Sequence, residues 1–177
     1  MQEPEVSLLI AIYYIENHLT NQDIYVSIDG AHIKTIDTVH FDIAGFMLEH
    51  NCRKSVGLMD KWQGFYTLQG YEARIIVHSQ SGVGDVNIKL ESGKEMYIES
   101  KKSRDDNKNG AEYPLMREAI GQLMTGGELK ENIIPAVAVP FSKKSLQLAK
   151  KWSEYSQINQ IGLKFILVKD DGNIVFI

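Results

Sequence analysis

Residues 84–102 read GDVNIKLESGKEMYIESKK, and the alternation within this stretch decides the fold. Val86, Ile88 and Leu90 share one side of an extended chain, leaving Asp85, Asn87 and Lys89 on the other. Met96 and Ile98 then set Tyr97, Glu99 and Lys101 on the opposite side of a second strand. A two-residue Ser92-Gly93 loop would put Val86 opposite Glu99 and mix the faces. A three-residue loop, Glu91-Ser92-Gly93, pairs Leu90 with Lys94, Ile88 with Met96 and Val86 with Ile98, and seats Gly93 at the left-handed position. A slip of one residue would bury the polar set, so the second register is expected. It places Asp85 opposite Glu99, with Cβ atoms about 4.5–5.5 Å apart as in a cross-strand pair. Lys101 follows on the same face.

Outward from this hairpin, the chain alternates strand and helix signals. Tyr71 to His78 reads as a strand before it. After it, Pro114 opens a helix with Met116, Ala119, Ile120 and Leu123 on one stripe, which Gly126-Gly127 stops. Ile134 to Val139 is an apolar strand. Ser142 caps a helix running to about Tyr155, and Phe165–Val168 and Ile174–Ile177 are strands joined by a DDGN turn. Upstream, Val6 to Leu19 is a helix apolar on every side, suited to a core or a subunit interface. Asp23 to Ile28 reads as a short strand and Thr38 to Asn51 as a second helix. The expected architecture is α/β, a mixed β-sheet flanked by helices. With no repeat and no linker, a single domain is expected over 1–177. It divides into an N-terminal extension (1–37), a core (38–140) and a C-terminal helix with strands (141–177).

Composition narrows the class. Among 177 residues, 44% are apolar and 24% charged, which is ordinary globular usage and argues against disorder. The lone Cys52 cannot form an internal disulfide. Glu3 and Glu5 stand where a secretory signal carries bases. The longest apolar run, Leu8 to Ile15, is far below the roughly 20 residues that span a bilayer. A cytoplasmic protein with no membrane partner is expected. The net charge of -4 excludes a broadly polybasic binder. It is unevenly spread: residues 1–50 hold one base and eight acids, while residues 51–177 hold 18 bases and 15 acids. A polyanion is therefore expected to meet the second part.

Asp85 and Glu99 facing one another repel unless a cation sits between them. Mg²⁺ takes oxygen ligands, commonly one or two carboxylates with waters and a substrate phosphate, and it activates water and stabilises charge on phosphate. The register also lets the Ser100 carbonyl approach such an ion, and it sets Lys101 to position a water or neutralise charge at phosphorus. The same spacing also fits an exposed face of ordinary salt bridges.

The string Gly84-Asp85-Val86, the hairpin spacer and Ile98-Glu99-Ser100-Lys101 resemble the PD-(D/E)xK, or restriction-endonuclease-like, nuclease superfamily, over roughly residues 38–140. Gly84 stands where that motif has its nominal proline. The resemblance implies an αβββαβ core with an N-terminal helical extension, and a Mg²⁺-dependent endonuclease (Mn²⁺ as substitute) hydrolysing DNA in restriction, defence or repair. It implies Asp85 and Glu99 as metal ligands and Lys101 as the catalytic lysine. An upstream helix acid is also implied, Glu49 with Asp42 as runner-up, together with a glutamine on the following helix, Gln122. Lys102, Arg104 and Arg117 are candidates for phosphate contact, and Lys143, Lys144, Lys150 and Lys151 form a second basic group. A double-strand break implies a homodimer or partner subunit, with the apolar first helix as a candidate interface. Two alternatives stay open: a catalytically idle nucleic-acid-binding or assembly subunit, and a ribonuclease or toxin on the same scaffold, since nothing here reads a 2′-OH.

Other signals carry less. His32, His40, His50 and Cys52 fit no zinc spacing. Gly82-Val83-Gly84 precedes a strand and is no dinucleotide fingerprint. His78-Ser79 has no acid partner in the sequence. Trp62, Phe65 and Tyr66 suit either base stacking or packing.

Overall fold

The first helix, α1 (Glu3–Glu16), starts where Pro4 fits its first turn and where the Glu5 carboxylate accepts from the Gln2 amide at 2.9 Å. Apolar residues on every side leave Leu8, Leu9, Ile10, Ile12 and Ile15 buried. The computed structural model describes residues 1–36, 38–55, 62–103 and 112–177. After α1 come β1 (Ile24–Ser27), α2 (Gly30–Ile33), α3 (Ile43–Glu49), β2 (Cys52–Lys54), β3 (Gly64–Leu68) and β4 (Arg74–His78). The hairpin supplies β5 (Val86–Lys89) and β6 (Glu95–Ser100). Then follow α4 (Glu112–Thr125), β7 (Ile133–Pro140), α5 (Lys143–Ser153), α6 (Ser156–Gln160), β8 (Lys164–Val168) and β9 (Ile174–Phe176).

Among the described residues, the nine strands form one mixed sheet in the order β2-β3-β4-β1-β5-β6-β7-β8-β9. β1 runs parallel to β4 and antiparallel to β5, β5–β6 is antiparallel, and β6, β7 and β8 are parallel. The hairpin has the register its hydrophobic pattern demands: Val86 pairs with Ile98, Ile88 with Met96, and the Leu90 amide donates to Lys94. Gly93 takes φ +80°, the left-handed value the three-residue loop requires. On one face α1 packs against β1, β5, β6, β7 and β8, while on the other α4 covers β6 and β7 and α5 covers β8. Two apolar clusters result, one under α1 and one under α4 and α5.

Residues 1–37 are not an extension. β1 stands mid-sheet between β4 and β5, and α1 lies across the centre of the fold. The peripheral part is the segment between β1 and β5, whose α3 and strands β2, β3 and β4 build one wing of the sheet. An all-round apolar helix must be buried, but its sequence does not say against what. Here it is consumed by the sheet rather than offered as a subunit interface. The strands β2 and β3 have no counterpart in the sequence reading, since each is short and lies in a stretch lacking long alternation.

Candidate functional site

Asp85 is positioned by a bulge at the start of β5. Its amide donates to Ile98 on β6 at 2.7 Å while its carbonyl accepts from Ser27 on β1 at 2.7 Å, so one residue bonds to both neighbouring strands. Gly84 makes this possible. It takes φ +74°, and a Cβ there would meet the Ile98 carbonyl oxygen at 2.9 Å. The bulge turns the Asp85 carboxylate toward the end of β6, where it accepts from the Ser100 amide at 2.7 Å. A strand residue's N–H and C=O point to the same side, so the Ser100 carbonyl emerges beside Asp85. The Ser100 hydroxyl instead turns to the other face, where Ser7 of α1 donates to it at 2.9 Å.

Glu99 and Lys101 are buried, at 8% and 4% exposure, which removes the reading of an exposed salt-bridged face. The Lys101 ammonium donates to Glu99 Oε1 at 3.0 Å, and lies 3.8 Å from both Glu3 Oε2 and Glu118 Oε1. Glu3 precedes Ser7 by one turn of α1, so the Ser7–Ser100 bond brings its side chain to the end of β6. Glu118 belongs to α4, one turn before Gln122.

These charges do not balance. One ammonium faces Glu3, Glu99, Glu118 and Asp85. Burial works to discharge Lys101, but Glu3, Glu99 and Asp85 outweigh it and hold its pKa above the ordinary lysine value. The strain falls on the acids. Burial, and then the neighbouring Glu99 charge, push Asp85 up to about 7 against the pull of the Ser100 amide. Burial raises Glu99 as well, despite Lys101.

Asp85, Glu99 and Gln122 line one pocket of about 530 Å³ together with Ser27, Asp29 and Ser79. Among the described residues its lining has three acids and no Lys or Arg. The donor set fits a hard divalent cation: two carboxylates too crowded to ionise freely, plus a backbone carbonyl, all oxygen. Among the described residues, no group of three or more His, Cys, Asp or Glu side chains gathers as a metal cluster.

Other expected residues lie elsewhere. Glu49 is exposed on α3, which packs on β2 at the sheet edge, with β3, β4 and β1 between it and the hairpin. The Asp42 carboxylate caps α3 by accepting from Gly45 at 3.1 Å. The upstream acid that approaches Lys101 is Glu3, from the acidic end of the chain that composition had set apart from a polyanion. Its only sequence signal is an acid at the start of a helix that must be buried. Lys102 is exposed, Arg117 stacks over Tyr113 at 5.3 Å, and neither lines the pocket. Arg104 lies outside the described residues. Lys143, Lys144, Lys150 and Lys151 are exposed on α5. Tyr66 is core packing at 1% exposure, whereas Phe65 points to the opposite face under Arg74. No helix among the described residues is long and apolar enough to cross a membrane.

Comparison with known proteins finds no matching family model, no matching curated protein and no matching solved structure.

Proposed function

We propose that the protein is a metal-dependent phosphodiesterase that cuts DNA, an endonuclease of the restriction-endonuclease-like kind. The observation that carries the reading is the meeting of Asp85 and Glu99 in one pocket, with Lys101 held 3.0 Å from Glu99. The element order supports it. A helix (α1), three strands (β1, β5, β6), a helix (α4) and a strand (β7) follow that family's αβββαβ order, with the wing inserted after the first strand. The acids and the lysine fall on the second and third of those strands.

Asp85, Glu99 and the Ser100 carbonyl would hold Mg²⁺, with Mn²⁺ as a substitute. When bound, the ion supplies Lewis-acid stabilisation of phosphate charge and lowers the pKa of a water. Without a cation, the acid-lined pocket repels a phosphodiester. Lys101, kept protonated by its acids, serves as a fixed positive charge beside the phosphorus rather than as a base. Glu3 and Glu118 position it. Gln122 on the pocket wall hydrogen-bonds the attacking water or a phosphate oxygen. One site cuts one strand, so a double-strand break calls on a second copy or a partner subunit.

The test is a panel of supercoiled plasmid, linear duplex, branched DNA, single strand and RNA, with Mg²⁺, Mn²⁺ or chelator. The wild-type protein should cut DNA only with a divalent ion. Lys101→Ala and Asp85→Ala should be slower by about 100-fold or more. Cleavage by either variant at the wild-type rate would sink the mechanism, and cleavage of RNA alone would move the substrate to RNA.

A further inference from the structure

The far side of the sheet carries a row of side chains unlike a core. Register aligns Phe65, Ile76, Tyr25, Asn87 and Tyr97 side by side across β3, β4, β1, β5 and β6. β1 is an interior strand, and an interior strand ordinarily has both faces covered when helices flank the sheet. Yet Tyr25 is 45% exposed. The cover supplied by α4 lies on β6 and β7, so it begins only at the Tyr97 end of the row. Within the row, the buried Asn87 side-chain oxygen has no hydrogen-bond partner among the described residues. An amide with spare capacity beside an exposed aromatic ring is poorly explained by folding alone.

The neighbouring rows give this face its meaning. Two residues along each strand from Tyr25, Ile76 and Tyr97 stand Ser27, His78 and Glu99, and Asp85 emerges from the bulge before Asn87. Ser27, Asp85 and Glu99 all line the pocket. The step between the rows is about 6.6–6.8 Å, two residues of strand. Two residues the other way stand Arg74, stacked over Phe65 at 4.9 Å and paired to Asp23, and Lys89, which faces Glu95 across the hairpin.

We infer that this half-sheet is a stacking platform for an unpaired stretch of the nucleic-acid strand being cut, with a base next to the scissile phosphate lying on Tyr25. The inference rests on the nuclease reading and names the form of its substrate. An exposed aromatic ring takes the face of a base, and a base exposes its face when it is out of the duplex. A duplex, with its base faces stacked internally, has no use for Tyr25.

The test is anisotropy titration of a fluorescein-labelled thymidine 12-mer, alone and annealed to its complement, in Ca²⁺ and in EDTA. Cleavage of the same strands is followed in Mg²⁺. The wild-type protein should bind the single strand more tightly than the duplex. Tyr25→Ala, folded by thermal unfolding, should weaken single-strand binding about tenfold, the loss of one stacked base. Tyr25→Phe, which keeps the ring, should restore it to within about twofold. Unchanged binding by Tyr25→Ala, or tighter binding of the duplex, overturns the platform, and the nuclease reading stands if cleavage persists. Tyr25-dependent binding with no cleavage under any divalent ion overturns the nuclease reading and leaves the platform standing. Neither binding nor cleavage overturns both.

Discussion

The ammonium of Lys101 lies 3.0 Å from the carboxylate of Glu99, and both groups are buried. The pair is costly to desolvate, so its presence argues for a use, but breaking it is costlier still. Lys101→Met should lose about 3–5 kcal/mol of stability, because Glu99 is left charged and unpartnered in a buried site. The double variant Glu99→Gln/Lys101→Met should recover much of that loss. Urea unfolding of the two single variants and the double variant checks this, and additive losses would contradict it.

Gly84 and Gly93 both have positive φ, but only Gly84 is crowded. Gly93→Ala should cost about 1 kcal/mol, the price of a left-handed non-glycine residue. Gly84→Ala adds a Cβ 2.9 Å from the Ile98 carbonyl oxygen and must move the bulge. It should lower the melting temperature more than Gly93→Ala does, and it should abolish cleavage by displacing Asp85. Equal melting shifts would show that the bulge tolerates a side chain.

The upstream acid is a point where two sequence positions compete. Glu3→Gln removes one of the charges that hold Lys101, so it should reduce cleavage about tenfold, the usual loss when a group that orients a metal site's residues is removed. Glu49→Gln, at the far edge of the sheet, should leave cleavage unchanged. Steady-state rates on a nicking substrate separate the two, and the reverse ranking would relocate the acid.

Asp85 makes stability and cation binding depend on pH. Its folded pKa, about 7, lies above the unfolded carboxylate value, so the folded state holds the proton more tightly. This group's contribution is full below about pH 4, where both states are protonated. It is lost as pH rises through 7, where the charged form is disfavoured in the fold. In chelator, Asp85→Asn should therefore be more stable than wild type at pH 8, and the advantage should vanish near pH 4. Below pH 7 the proton competes with a cation, so Mn²⁺ affinity should fall by up to about tenfold per pH unit. Melting curves with a Mn²⁺ titration at pH 6 and pH 8 decide it. An affinity independent of pH would place the ion elsewhere.

The hairpin was legible because period-two alternation and a glycine turn are local properties. Val86, Ile88, Met96 and Ile98 bury in only one register; the expected pairing of Asp85 opposite Glu99 is replaced by a bulge in which the Asp85 amide bonds Ile98 and its carboxylate accepts from Ser100. Gln122 was named only through the family resemblance, and it lines the pocket because α4 packs back on β6. The sequence by itself thus determined the mixed α/β class, the hairpin register and the Asp85, Glu99 and Lys101 set. Tertiary structure alone decided what comes to that set from a distance. Glu3 reaches Lys101 because an all-apolar helix had to lie across the sheet, and nothing local says where its first turn ends. Glu49 has the same chemistry but sits on a helix that covers the outermost strand. The bulge at Asp85 and the exposed ring of Tyr25 are likewise tertiary facts. Alternation tells which side a residue faces, but only packing tells whether that side is covered.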